Sequence, residues 1–382
     1  MTGVSTAAIG TEDLGSLATY REVMQQPAVW REAAGLLAGR ADEVAKFLDP
    51  LLARPDLRIV LTGAGTSAFA GEILAPALSR ALRRRVDAVA TTDIVSNPRE
   101  MFAEDVPTLL VSFARSGESP ESVAATQLAT QCLQSVHQLV ITCNADGRLA
   151  REHQQAAGSL VLLMPSATND RGFAMTSSFT SMVLTAWLAL APAQDAALAE
   201  RLAAAAEQVL AKADELARLT ANGYDRVVYL GSGPLGGLAR ESALKLLELT
   251  AGAVVSYYDT ALGFRHGPKA VLKEGTLAVV YLSNDSYTRQ YDLDIAEELR
   301  AAIGAENVLV IGACSSNGGP ETWRIDGLTE VDDAALALPF VVIAQLLALR
   351  FSIQLGRTPD NPFPDGEVNR VVQGVTIHPL PR

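Results

Sequence analysis

Six short apolar runs stand out from the polar background of the chain: "RIVLTG" from Arg58, "TLLVSF" from Thr108, "LVITC" from Leu139, "RVVYLG" from Arg226, "TLAVVYL" from Thr276 and "LVIGAC" from Leu309. Uninterrupted apolar runs of this length predict strands covered on both faces, as in a parallel sheet. Between them lie stretches such as "GEILAPALSRALRR" and "SPESVAATQLATQCLQ", whose mixed patterning predicts helices. Strand and helix in alternation predict an α/β architecture. The starts of the first three runs recur 168, 168 and 170 residues later, so the chain uses one α/β unit twice.

The pattern also sets expected boundaries. Residues 1–54 form an N-terminal helical segment, with Pro27 and Pro55 as breaks in the helices over 16–54. The first α/β domain follows over 55–193 and the second over 221–355. An Ala-rich, charged helix from Gln194 to Thr220 joins them. Residues 356–382 are a Pro/Gly-rich tail, expected to lie on the surface and to cover something if ordered. The most apolar window, Ala334 to Leu349, contains Pro339 and Gln345 and falls short of the ~20 residues that span a bilayer. A buried helix is expected there, and no membrane partner.

Composition narrows the function. The chain has 382 residues, 49% of them hydrophobic and 19% charged, enough for two full cores. A net charge of -12, with no basic run longer than Arg83 to Arg85, argues against a nucleic-acid partner, because phosphate backbones are bound by basic patches. Cys132, Cys143 and Cys314 show no CxxC pairing and read as buried, reduced, intracellular thiols. The N-terminus has neither the basic segment nor the apolar core of a secretory signal, so a cytoplasmic protein is expected.

Candidate chemistry begins where the first run ends. "GAGTSA", Gly63 to Ala68, leads an apolar strand through two glycines into a helix that opens on Thr66 and Ser67. Such a turn lets the backbone approach a ligand, and the helix start presents unpaired N–H groups to an anion. Gly65, Thr66 and Ser67 are therefore candidate ligands. "GAGTSA" and its second copy "GSGPLG", Gly231 to Gly236, also fit the Gly-rich dinucleotide fingerprint. The next loop, "ARSGESPES", adds Arg115, Ser116 and Ser119. Two hydroxyl-rich loops at neighbouring strand ends suit a compact phosphate monoester better than a dinucleotide. The serines could equally cap the helix that starts near Pro120.

In "GLARESALKLLELTAG" the residues Glu241, Lys245 and Glu248 share one face of an otherwise apolar helix. That face is either a salt-bridged solvent surface or a desolvated base suited to proton transfer. His266 follows in the Gly/Pro-rich loop "ALGFRHGPKAVL". None of the four histidines has metal-ligand spacing, so no metal is expected.

Together these motifs resemble the sugar isomerase (SIS) family: "GAGTS", "ARSGES", "ESALKLLE" and "RHGP" match the isomerase half of glucosamine-6-phosphate synthase in order and spacing. The likeness is closer to the AgaS type, galactosamine-6-phosphate deaminase/isomerases also known as tagatose-6-phosphate ketose/aldose isomerases. It runs from "YREVMQQP" at Tyr20 to "VNRVVQGVTIHP" near the end and includes "TNDRGFAMTSSFT". The resemblance implies two SIS domains, each a parallel sheet between helices in a three-layer α-β-α sandwich, and a homodimer with active sites at its interface. It implies Thr66, Ser67, Ser116 and Ser119 as the phosphate clamp and Glu248 as the base between C2 and C1. It also implies His266 as the ring-opening residue of the neighbouring subunit's site, and Lys245 lining the same site.

Three departures from the synthase shape the expected chemistry. Thr2 stands where a glutaminase needs cysteine, and too few residues precede the SIS unit for that domain. The synthase's Schiff-base lysine falls on Gln373, and the first hydroxyl of its second loop falls on Ala114. Synthesis is thus not expected. The implied reaction runs the other way, from a hexosamine 6-phosphate, galactosamine foremost, to tagatose 6-phosphate and ammonia, with a small sugar phosphate as partner and no cofactor. The alternatives are aldose-ketose isomerisation of a neutral sugar phosphate and a non-catalytic phosphosugar sensor.

Overall fold

Ten strands build two five-stranded parallel sheets among the described residues, 14–192, 197–313, 322–372 and 374–381 of the computed structural model. The first sheet contains β1 (Arg58–Thr62), β2 (Val86–Ala88), β3 (Thr108–Ala114), β4 (Val136–Thr142) and β5 (Ser159–Leu163), in the order β2-β1-β3-β4-β5. The second contains β6 (Arg226–Leu230), β7 (Val255–Asp259), β8 (Thr276–Tyr281), β9 (Val308–Gly312) and β10 (Thr322–Arg324), in the order β7-β6-β8-β9-β10. The second order is the first with every strand number raised by five. Register repeats as well: Arg58 pairs with Thr108, and Arg226 with Thr276. The three-layer expectation and the duplication both hold.

All six apolar runs form strands, and the four strands they do not cover, β2, β5, β7 and β10, are the sheet edges. An edge strand is covered on fewer sides, so its sequence need not be uniformly apolar. In β7, "VSYYD", no residue is fully buried. In contrast, β3 and β8 are buried along their whole length.

Compactness divides the chain into two units that are not contiguous in sequence. One holds the first sheet and takes Ala28–Asn169, Ser177–Glu200 and Val368–Arg382; the other holds the second sheet and takes Met1–Pro27, Asp170–Thr176 and Arg201–Glu367. The segment expected as one helix over Gln194 to Thr220 is described as two, Leu198–Ala211 and Glu215–Thr220, with 193–196 outside the described residues. The N-terminal helices are Ala18–Met24, Gln26–Ala38 and Ala41–Leu52, with the expected break just before Pro27.

Within the second-sheet unit, the helix Ala18–Met24 is held by distant residues. Asp360 accepts from the Ala18 and Thr19 backbone N–H groups at 2.7 and 2.8 Å and from Thr19 Oγ1 at 2.7 Å. Glu22 accepts from the N–H groups of Arg171 at 2.5 Å and Gly172 at 3.1 Å. Gly172 admits no side chain, since a Cβ would lie 2.6 Å from Thr19 Oγ1.

The apolar window proves longer than expected. It lies in a 22-residue helix, Asp333–Gln354, started by Asp332, whose carboxylate accepts from Ala334 N at 3.0 Å. By length and composition this helix could cross a bilayer; 89% of its most apolar window is buried inside the protein, as a core helix requires. The thiols also depart from expectation. Cys143 is buried, but Cys132, the last residue of the helix Pro120–Cys132, is partly exposed, and neither forms a disulfide. Cys314 lies outside the described residues.

Candidate active site

The first-sheet unit carries the phosphate-type loops. β1 leaves the sheet through Gly63 and Gly65 into the helix Thr66–Leu82. A Cβ on Gly63 would sit 2.5 Å from the backbone carbon of Ser67, and Gly65 has φ +54°, so both positions demand glycine. The tightness of that turn places Thr66 and Ser67 in the first turn of the helix, where both are buried. The free N–H groups of a helix start favour an anion there.

The second loop continues from β3, the hydrogen-bonded neighbour of β1. Gly117 turns it with φ +65°. Ser116 Oγ accepts from the Glu118 N–H at 3.3 Å. Ser119 stands at the start of the helix Pro120–Cys132 without capping it: its hydroxyl donates to Glu121 Oε2 at 2.7 Å. Arg115 is 7% exposed, and its Nη2 donates to the backbone oxygen of Arg370 at 2.8 Å. The tail therefore lies against this loop. Two strand ends thus bring hydroxyls, helix N–H groups and a guanidinium to one edge of the sheet, a donor set matched to a dianionic phosphate.

The second-sheet unit carries the ionisable groups, on the helix Pro234–Leu249. Glu241 and Lys245 are completely buried, so the solvent-face reading fails for them. Lys245 Nζ lies 2.6 Å from Glu248 Oε2 and 3.4 Å from Glu241 Oε1. A buried ammonium needs anionic partners, and the spacings of four and three residues supply one on each side. Only Glu248 retains access, its side chain 24% exposed. The row runs from a sealed carboxylate through a lysine to a carboxylate open at the surface of the unit, an arrangement suited to a base oriented by its neighbour.

Behind this helix stands a buried aromatic stack. Tyr281 of β8 lies parallel to Tyr229 of β6 and to Phe340, and its Oη is 2.7 Å from Ser242 Oγ. Burial pushes the Tyr281 hydroxyl well above the ordinary phenol range. Sequence reasoning missed this support, because a strand buried on both faces has no alternation to show which side chains look inward.

The β6 turn repeats the β1 turn. Gly233 has φ +56° and ψ -128°, against +54° and -128° for Gly65; a Cβ on Gly231 would lie 2.2 Å from Leu235 O. Yet Pro234 and Leu235 stand where the first copy has Thr66 and Ser67. The dinucleotide fingerprint here forms a tight strand-to-helix turn without hydroxyls at the first two helix positions. Asp292, of the helix Thr288–Ile303, bridges the two loops instead: Oδ1 accepts from Ser232 Oγ at 2.6 Å and Oδ2 from Ser283 N at 3.0 Å. The sequence held a signal for it, since the position 168 residues earlier is Ala124.

His266 belongs to the same unit as Glu248, exposed between two short 3₁₀ turns, Gly263–Arg265 and Pro268–Val271. Gln373 lies outside the described residues. No group of three or more His, Cys, Asp or Glu side chains with metal-binding geometry occurs among the described residues.

With this geometry in place, comparison with known proteins is decisive. The SIS domain family matches residues 51–192, the stretch that builds the first sheet and both phosphate-type loops. A Streptomyces coelicolor protein that bears the AgaS name is 60% identical over 373 residues, 96% of this chain and 97% of that one. The chain belongs to the AgaS branch of the SIS family. The D-galactosamine-6-phosphate deaminase AgaS of Shewanella sp. is 43% identical over 373 residues, 96% of this chain and 93% of its own. Among solved structures, the tagatose-6-phosphate ketose/aldose isomerase of Escherichia coli superposes with a TM-score of 0.88 at 41% identity, covering 96% of this chain and 97% of that one.

Proposed function

We propose that this AgaS-family protein is a sugar-phosphate deaminase/isomerase that converts a hexosamine 6-phosphate, galactosamine 6-phosphate first among them, to tagatose 6-phosphate and ammonia. The observation that carries the reading is the row Glu241–Lys245–Glu248, buried except at its last carboxylate. Relatives named as D-galactosamine-6-phosphate deaminases support the substrate.

In this reading Gly65, Thr66, Ser67, Arg115, Ser116 and Ser119 hold the phosphate. His266 opens the sugar ring. Glu248 then removes the C2 proton, giving an enolamine, and returns a proton at C1, which leaves an imine at C2. Water adds to the imine carbon, the C–N bond breaks, and ammonia departs. One water is consumed for each ammonia released, and the substrate is neither oxidised nor reduced overall. Lys245 orients Glu248 through their ion pair, and Glu241 balances the lysine charge from its buried side.

We also propose a cytoplasmic homodimer in which His266 serves the partner's site. The exposed position of His266 on a loop supports this.

A second reading, aldose-ketose isomerisation of a neutral sugar phosphate, is favoured by the name of the Escherichia coli structure. It uses the same base and proton path without the hydrolysis. An ammonia-release assay across galactosamine, glucosamine and neutral hexose 6-phosphates separates the two. Ammonia from galactosamine 6-phosphate supports deamination, whereas turnover of neutral sugars alone establishes the isomerase.

A further inference from the structure

The two copies of the α/β unit allow position-by-position comparison at an offset of 168: the helices after the Gly-rich turns start at Thr66 and Pro234, and the next helices at Pro120 and Thr288. At this offset Asp292 corresponds to Ala124, Ser232 to Ala64 and Ser283 to Arg115. In the first copy these matching positions carry two methyl groups and a guanidinium. In the second copy a carboxylate stands at the Ala124 position and joins two strand-end loops. Asp292 is completely buried; one of its oxygens takes the Ser232 hydroxyl of the β6 loop and the other the Ser283 N–H of the β8 loop.

A neighbouring carboxylate continues the pattern. Asp333 accepts from Ser283 Oγ at 2.5 Å and from Asn284 N at 2.8 Å, and the Asn284 amide donates to Leu328 O and Val331 O. The β8 loop is thereby fixed from both sides. Ser232 lies two residues before Pro234, so Asp292 ties this fixed loop to the start of the helix that carries Glu241, Lys245 and Glu248.

We propose that Asp292 is a positioning residue for the reaction: a resident anion in the second cradle that holds the catalytic helix in place with a side chain, as a substrate phosphate draws together the first cradle. Thus one cradle waits for its anion and the other carries its own carboxylate. Each chain then takes a single sugar phosphate, and the base is set before substrate arrives. The inference rests on the assignment of Glu248 as the base.

The test removes the anion and supplies another. In Asp292→Ala, kcat should fall at least about tenfold, since a displacement on the order of 1 Å at a catalytic group costs about 10²-fold. KM for the sugar phosphate should stay within about twofold of wild type, because the first cradle is untouched. Formate should raise the melting temperature of Asp292→Ala and restore part of kcat, while leaving wild type and Glu248→Gln unmoved. A folded Asp292→Ala protein with wild-type kcat and no formate effect overturns the proposal. If that variant does not fold, Ser232→Ala breaks only the link to the helix; lowered kcat at constant KM supports the proposal, and unchanged kcat overturns it. Full activity in Glu248→Gln would refute the base assignment separately. The formate effect on melting is read without turnover and stands or falls alone.

Discussion

The β1 and β6 turns have the same backbone and opposite chemistry. Their glycines agree within a few degrees in dihedral angle, and both first glycines are forced by the close approach of the following helix. Side chains then divide them: Thr66 and Ser67 open the first helix and Ala124 holds the position that matches Asp292, whereas Pro234 and Leu235 open the second and Asp292 accepts from Ser232 of its turn. Backbone shape alone therefore does not make a phosphate site. The shape supplies the helix N–H groups, and the neighbouring side chains decide whether an outside anion can use them.

On the proposed reading binding falls to one copy and chemistry to the other, and the sharpest way to break that division is at Glu248. Glu248→Gln keeps the shape but removes the base, and kcat should fall about 10²- to 10⁴-fold with KM within about twofold. Steady-state kinetics on galactosamine 6-phosphate checks this; activity within a factor of two of wild type removes Glu248 from the mechanism.

The converse change is Thr66→Ala with Ser67→Ala. Each charge-assisted hydrogen bond lost is worth about 1.5 to 3 kcal/mol, so loss of both should raise KM by about two to four orders of magnitude while kcat changes less. Ser232→Ala in the matching turn should leave KM alone. Equal KM effects from the two turns would end the division of labour.

A third experiment asks whether the copies cooperate across subunits. A His266→Ala chain mixed with a Glu248→Gln chain should regain about a quarter of wild-type sites, one in each mixed dimer at random exchange. No gain over the parents after verified exchange means that both residues serve one chain's site.

The smallest effect is in pH. Burial, the largest cause, raises the Asp292 carboxyl to about 6, with Asp333 adding to the rise, while Ser232, the Ser283 N–H and Arg289 oppose it. Its folded value lies above its unfolded one, so the folded protein binds the extra proton as pH falls through about 6, and stability from this group grows towards pH 4 and is lost above 6. Asp292→Asn should remove that contribution. The melting temperature at pH 5 relative to that at pH 7 should therefore be lower in the variant than in wild type; an identical pH dependence excludes the titration.

The chain displayed its central strands and both glycine turns openly, because burial on two faces and positive φ leave only apolar residues and glycine as choices. Edge strands such as β7 were hidden, since half-covered backbone tolerates "VSYYD". At the site, the hydroxyl loops and the row on the Glu248 helix were legible from spacing. The burial of Lys245 was not, because a Glu/Lys ladder at four and three residues reads the same on a wet surface. Asp292 was concealed for a different reason: its partners are 60 residues upstream and nine upstream, and only alignment of the two copies singles it out.

The chain passes between its two units five times, at Pro27, Asn169, Thr176, Glu200 and Glu367. Synthesis on a ribosome proceeds from the N-terminus, and domains that are contiguous can fold as they emerge. Here neither unit is contiguous. The start of the helix Ala18–Met24 is held by the carboxylate of Asp360, 342 residues further along the chain from Ala18. The first sheet waits for the tail that Arg115 grips at Arg370. Each unit is thus completed by a segment far along the chain from its first one. Splitting the gene between the copies would strand the ends of each.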